Sequence, residues 1–517
     1  MTIEAFSYNP HYVAIAVVAI VLSALLLSPK HERTPPGPRG WPLIGNIFDL
    51  PTKESWKVYL DWSRKYNSDV LSLRVPGAKL FILNSAESIQ GLLIKRSNIY
   101  SDRPRSTMLN DLVRTTWMMV FMNYDNRWKE HRRIFRREFE TNSAAANRAH
   151  ELHAARRLLQ RLLTSPNHVK ELRLATGDAI LSVTYGITPK TSQDPFIRTP
   201  EEVMVIFADV GRGGYLVDIF PFLRFIPKWF PGAAFQRTAE KGRPLARDLV
   251  MAPYEHVKTQ MENGTAVPSV ASRFLSAVQD GEDISDQEKE TMRNVLGIAY
   301  LGGADTTVAI LSAFTLAMAL YPEVQRKAQK ALDDALQGQR LPDFNDFGGR
   351  IPYVDAVVNE VLRWNTATPF AVYHVASEDD VYNGYNIPKG SIMIPNLWAL
   401  LHEESVYGPD TDKFIPERFL TAKGELNPDV LDMDVAFGFG RRACPGRVMG
   451  RDTVWIMVAS LLAAYEITNP IDGAGNLLTR DTKLEFTNSM VSFAPEFKVT
   501  FKLRISESMI NGSVEEN

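Results

Sequence analysis

Residues 437–446 read Phe-Gly-Phe-Gly-Arg-Arg-Ala-Cys-Pro-Gly and contain the chain's one cysteine, Cys444. A chain with one cysteine forms no internal disulfide, so its fold rests on packing alone, which fits a reducing compartment. Pro445 suits the first position of a helix, where its missing N–H costs nothing. The stretch therefore predicts a helix over 447–464 with Cys444 at its positive end. Free N–H groups there stabilise a thiolate, the form of cysteine that binds metals. The glycines at 438, 440 and 446 let backbone pass close to a flat ligand, and Arg442 offers a fork to a carboxylate. A lone cysteine is usually a small buried hydrophobe. This ten-residue context argues for a ligand instead.

The other end of the chain bounds where such a site would work. No residue from Ala5 to Pro29 is formally charged with His11 neutral, and Tyr12 to Leu27 is apolar except for Ser23. That run spans about 24 Å as a helix, against a bilayer core of ~30 Å, so it borrows residues at both ends. Glu4 precedes it, and Lys30, His31 and Arg33 follow it. The charge bias predicts an uncleaved single-pass anchor over 1–30, helical at about 11–29, with the body in the cytosol. Residues 31–52, which include Thr34-Pro-Pro-Gly-Pro and Trp41-Pro42, read as a stiff hinge. If the body is cytosolic, the acceptor patterns at Asn263 and Asn511 stay unglycosylated. The net charge of -2 favours no nucleic acid.

The body, 53–505, reads as mainly helical with a smaller β region, followed by a polar tail over 506–517. A hairpin is expected over 70–84, around Pro76-Gly77, and a second strand-rich portion over about 370–395. Helices are expected over 127–140, 146–163, 288–319 and 322–336. The helix at 288–319 is apolar enough to cross the core, yet carries Gly302-Gly303 in its middle, followed by Asp305, Thr306 and Thr307. A glycine pair costs ~2 kcal/mol against alanine in a helix interior. The pair permits a kink or widened turn, and the polar cluster beside it suggests a ligand lying against backbone.

The cysteine stretch is similar to the haem-binding loop of the cytochrome P-450 family, Phe-x-x-Gly-x-Arg-x-Cys-x-Gly, through Phe437, Gly440, Arg442, Cys444 and Gly446. Further motifs extend the likeness from the hinge to roughly residue 500. Gly302-Gly303-Ala304-Asp305-Thr306-Thr307 looks like the family's oxygen-activating motif, and Trp128-Lys-Glu-His-Arg132 like its Trp-x-x-x-Arg motif. Of five Glu-x-x-Arg pairs, position selects Glu360/Arg363, and Phe414-Ile-Pro-Glu-Arg-Phe brings Arg418 into a buried three-residue network. His374 resembles a propionate contact, although Tyr373 stands where the family commonly has proline. The wording also resembles fungal members of the O-methylsterigmatocystin oxidoreductase type.

The resemblance implies one haem-thiolate catalytic domain of the family's mainly α prism, joined to an N-terminal transmembrane helix. It implies haem b held by Cys444, with Trp128, Arg132, His374, Phe437 and Arg442 around it, and Asp305 and Thr306 delivering protons. The implied activity is insertion of one atom of O2 into a lipophilic substrate, in fungal secondary-metabolite biosynthesis. Electrons would come from NADPH through a membrane-bound cytochrome P-450 reductase, with the endoplasmic reticulum as the setting. Arg127, Lys129, Arg132, Arg133, Arg136, Arg137 and Arg447 are a candidate docking face, with a solvated helix face as the bland alternative. The aromatic stretch 214–232 suits a membrane interface. Substrate contacts are expected from about 105–122, 210–232, 298–306, 367–373 and 487–490. The rival readings are a peroxide-using haem-thiolate peroxygenase and a haem-bound ligand carrier or sensor. The anchor argues against the first, and the Asp305-Thr306 pair against both.

Overall fold

The computed structural model describes residues 33–141, 144–211 and 215–515. The anchor expected over 1–30 lies outside the described residues. The described part of the hinge is tied to the body. The Ser72 backbone N–H donates to the Pro36 carbonyl at 3.0 Å and its hydroxyl to the Pro35 carbonyl at 2.6 Å. Proline keeps its acceptor while losing its donor, so a proline-rich strand can dock in this one-sided way.

Helix α1 (Ser55–Tyr66) leads into the expected hairpin of β1 (Val70–Val75) and β2 (Ala78–Leu83). A helical run follows: α2 (Asn126–Arg136), α3 (Ala144–Leu162), α4 (His168–Tyr185), α5 (Pro195–Gly211), α6 (Ala234–Glu262), α7 (Asp286–Leu320), α8 (Pro322–Leu336) and α9 (Pro352–Trp364). The second β portion is β3 (His374–Val375), β4 (Asp380–Tyr382), β5 (Tyr385–Ile387) and β6 (Ile392–Pro395). After the cysteine loop come α10 (Arg447–Ala464), β7 (Tyr465–Asp472), β8 (Phe497–Leu503) and α11 (Glu507–Glu515). Strand β6 runs parallel to β2 in a sheet ordered β1-β2-β6-β3, which joins the two β portions, while β4 and β5 pair as a separate two-stranded sheet.

Helix α7 organises the core. Ser285 caps it by accepting from the Glu288 N–H. Its first half, Met292 to Leu301, packs in one apolar cluster with α4, α5 and α6. Its second half, Ile310 to Leu320, packs in another with α3, α9 and α10. Each fully buried side chain here, such as Phe314, is worth roughly 1.5–3 kcal/mol. Among the described residues α7 is the one helix long and apolar enough to cross a membrane, but 83% of its apolar window is buried in the protein. It is a core helix, and apolar on all sides for that reason.

Two expectations change. The Gly302-Gly303 pair makes no break, since α7 is continuous α-helix from Asp286 to Leu320. The tail expected from 506 is helix α11, because Ile510 is fully buried in the core cluster and Asn511 accepts a bond from Gln160 on α3. A single apolar residue per turn was too weak a pattern to reveal it.

Candidate active site

The cysteine loop is positioned by backbone geometry. The Cys444 N–H donates to the Phe437 carbonyl at 2.7 Å, closing the loop. Gly440 has φ +55°, and a Cβ there would sit 2.3 Å from the Leu93 carbonyl oxygen, so only glycine fits. Helix α10 starts three residues after the cysteine, as expected. Cys444 has an exposed side chain at a deep position. Burial pushes its thiol up, while the Gly446 N–H and the charges of Arg132 and Arg447 pull it down. Bonding to a metal cation would reverse the balance, because a coordinated thiol loses its proton outright.

Around the loop stands a cluster of buried cationic groups. Arg442 donates to the carbonyls of Ser101 and Met122 and lies over the Trp128 ring, 4.6 Å from its centre. Burial brings its pKa down to about 10. Arg103 donates to the carbonyls of Val120, Val372 and Tyr373. Burial and then Arg442 hold it well below its ordinary range. His374 binds the Tyr100 carbonyl through Nδ1 at 2.6 Å, and burial followed by Arg103 keeps it neutral at physiological pH. Among the described residues none of these three groups pairs with a carboxylate at ion-pair distance. Two guanidiniums buried together with carbonyl partners but no carboxylate at ion-pair distance are costly, and an anionic ligand would offset that cost.

Helix α2 places Trp128 and Arg132 four residues apart on one face, after Asp125 caps it by accepting from the Trp128 N–H. Trp128 lies under Arg442, and Arg132 donates to the Ala443 carbonyl at 2.6 Å. The structure thus gathers Trp128, Arg132, His374, Phe437, Arg442 and Cys444. It also adds Arg103, which sequence reasoning missed. Ser101-Asp102-Arg103-Pro104 carries no periodic signal, and the carbonyls that Arg103 grips come from two remote segments.

Below the loop, Glu360 receives both forks of Arg363 at 2.6 and 2.9 Å, Arg418 at 3.2 Å and the Ile415 N–H at 2.7 Å. The remaining Arg363 donors go to the carbonyls of Leu401, Thr411 and Lys413. The expected network is present and fully bonded.

The glycines of α7 serve different ends. A Cβ on Gly303 would come within 3.0 Å of Ile180 on α4, whereas one on Gly302 would meet nothing within 4 Å. Gly303 lets helices pack, and Gly302 opens a space in the core beside Thr306, whose hydroxyl donates to the Gly302 carbonyl at 2.7 Å. Asp305 points elsewhere. It is buried against Arg173 of α4 in a close ion pair, and burial raises its pKa more than Arg173 lowers it.

Within the stretches expected to contact a substrate, Met108, Leu109, Met118 and Met119 are buried in the cluster that holds the first half of α7, with Trp117, Phe121 and Met490 against it. Phe370 departs from expectation, packing on Trp56 and Tyr59 in a third cluster at the β sheet. The aromatic stretch lies outside, with Phe222, Phe225 and Trp229 each more than 60% exposed. The basic face around α2 is partly met by neighbouring acids, since Arg127 pairs with Glu290 of α7 and Arg137 with Glu138, while Arg447 pairs with Asp434.

The chain is similar to known proteins over most of its length. The cytochrome P450 family model matches residues 35–489. The chain is 50% identical to the cytochrome P450 monooxygenase eriA of Hericium erinaceus over 97% of this chain and 95% of the relative. It is 42% identical to cytochrome P450 monooxygenase 98 of Postia placenta, over 86% of each. It is 38% identical to the tryptamine 4-monooxygenase of Psilocybe cyanescens over 92% of this chain and 94% of the relative. A cysteine loop at a helix start, a bonded acid–arginine network behind it and a family match across most of the chain lead to one assignment: the chain belongs to the cytochrome P450 family and is a monooxygenase.

Proposed function

We propose that this monooxygenase holds haem b through the Cys444 thiolate and hydroxylates a lipophilic small molecule in fungal secondary metabolism. The observation that carries the reading is the single cysteine beside buried Arg103 and Arg442, neither of which has a carboxylate at ion-pair distance among the described residues. Those two fit the carboxylates of a porphyrin, with Trp128 and His374 completing the cradle. When bound, the haem supplies activation of O2, which a thiolate ligand favours by pushing electron density toward O–O cleavage.

The chain's own residues then have separable tasks. Arg132 and the Phe437 carbonyl hold the loop so that the sulfur stays in place. Gly302 makes room, and Thr306 holds a hydroxyl proton beside that room. Asp305 supplies protons to that side. Met108, Trp117, Phe121 and Met490 exclude water and favour an apolar substrate. The narrower likeness to the O-methylsterigmatocystin oxidoreductase type supports a tailoring role.

Residues 1–30 anchor the body to the endoplasmic reticulum, facing the cytosol, and the exposed aromatics near 220–230 rest in the same lipid surface. Electrons arrive from NADPH through a cytochrome P-450 reductase that docks on the α2 face. Feeding a reductase-equipped host a library of lipophilic natural products tests this. A product gaining one oxygen atom, dependent on NADPH and O2, is expected. Equal turnover with peroxide alone would contradict the reductase, and no turnover with any member would contradict the substrate class.

A further inference from the structure

Asp305 is the buried end of a charged chain that leads out of the protein. It is 5% exposed and pairs with Arg173, which is 19% exposed; Arg173 in turn faces Glu201 of α5 at 3.8 Å, and Glu201 is 49% exposed. The three line one cleft with Gly177, Ile197 and Tyr300. One guanidinium therefore stands between two carboxylates, with its best bonds turned inward. Thr306 does not take part, because its hydroxyl is on the Gly302 carbonyl. For Asp305 to serve the Thr306 side it must let go of Arg173. That release would strand a partly buried guanidinium unless another acid receives it.

We infer that Glu201 is this second acid: by receiving Arg173 it frees Asp305, and so acts as a positioning residue for proton delivery. The inference rests on the reading of Asp305 proposed above. Other charged groups at the cleft do not supply the function. Arg198 and Glu202 on α5 pair with each other at 2.8 Å, and the Tyr300 hydroxyl is bonded to the Phe196 carbonyl. On α4 the facing charge is Arg173 itself, which also lies over the Phe493 ring at 6.0 Å. Glu201 pushes the Asp305 carboxyl up by charge repulsion, whereas Arg173 pulls it down. Only a proton moves in this step, from bulk solvent to an Asp305 carboxylate oxygen.

The test uses the full chain in lipid vesicles with a cytochrome reductase, and the variants Glu201→Gln and Glu201→Asp. One readout is the infrared carboxyl band that vanishes in Asp305→Asn, followed against pH. Removing the Glu201 charge leaves Asp305 ionised to lower pH, so in Glu201→Gln the midpoint falls by about half a unit or more. The second readout is hydrogen peroxide formed per NADPH, which rises about twofold or more because Arg173 keeps its hold. Glu201→Asp restores both. An unmoved midpoint, or a moved midpoint with unchanged peroxide, overturns the inference. The carbon-monoxide spectrum of thiolate-bound haem separates the failures. Its absence from the parent chain sinks the haem-thiolate reading, while its presence in a Glu201→Gln variant unchanged in both readouts sinks only the role of Glu201.

Discussion

Two acid–arginine arrangements flank the site, and they are built in opposite senses. Behind the cysteine loop one carboxylate, Glu360, sits between two guanidiniums, and every remaining Arg363 donor has a carbonyl. Across α7 one guanidinium, Arg173, sits between two carboxylates, and the arrangement opens to solvent at Glu201. A fully buried and fully bonded pair has nowhere to go, so it holds shape. A triad buried at one end and half-exposed at the other, with a spare acceptor at the open end, has a second partner to turn to. The difference separates a scaffold from a moving part, although both are written with the same residue types.

Glu360→Gln breaks the comparison hardest. It leaves Arg363 and Arg418 buried without a counter-charge, at a cost of about 3–5 kcal/mol. Thermal unfolding and haem content should both fall sharply, and a variant with parental stability would show that the network is not the scaffold. Arg103→Gln should act more mildly. It removes one of two cations proposed for the porphyrin carboxylates while relieving their mutual repulsion, so haem affinity falls about tenfold, and stability falls less than in Glu360→Gln because the glutamine keeps an amide donor for the carbonyls. Haem titration of the apoprotein checks this, and unchanged affinity would take Arg103 out of the cradle. Thr306→Ala has the smallest effect on the fold, within about 0.5 kcal/mol, because its hydroxyl bonds only within its own helix. It should still divert electrons to peroxide, and unchanged coupling would remove Thr306 from proton delivery.

The sequence made the scaffold side legible and the moving side only partly so. Cys444, Arg442 and Gly440 sit within one short segment where backbone geometry demands each residue type, so their spacing survives as a motif. Trp128 and Arg132 are readable for the same reason, lying four apart on one helix. Arg103 and Arg173 were not visible, since each meets its partners only after the chain has folded back over many residues. The pair at Gly302 and Gly303 was read for helix geometry, and that reading needed correction. It suggested a distorted helix, whereas α7 stays regular and the missing side chains create one open space and one tight contact. Helix α11 was read as a tail because its one buried anchor, Ile510, stands in polar company.

The account turns on whether Cys444 binds iron as a thiolate. The reduced, carbon-monoxide-treated spectrum of the purified full chain, beside that of Cys444→Ala, tests this directly. The account predicts the red-shifted band of a thiolate-ligated haem in the parent chain and its complete loss in the variant. A parent chain that takes up no haem, or a variant that keeps the band, would contradict it.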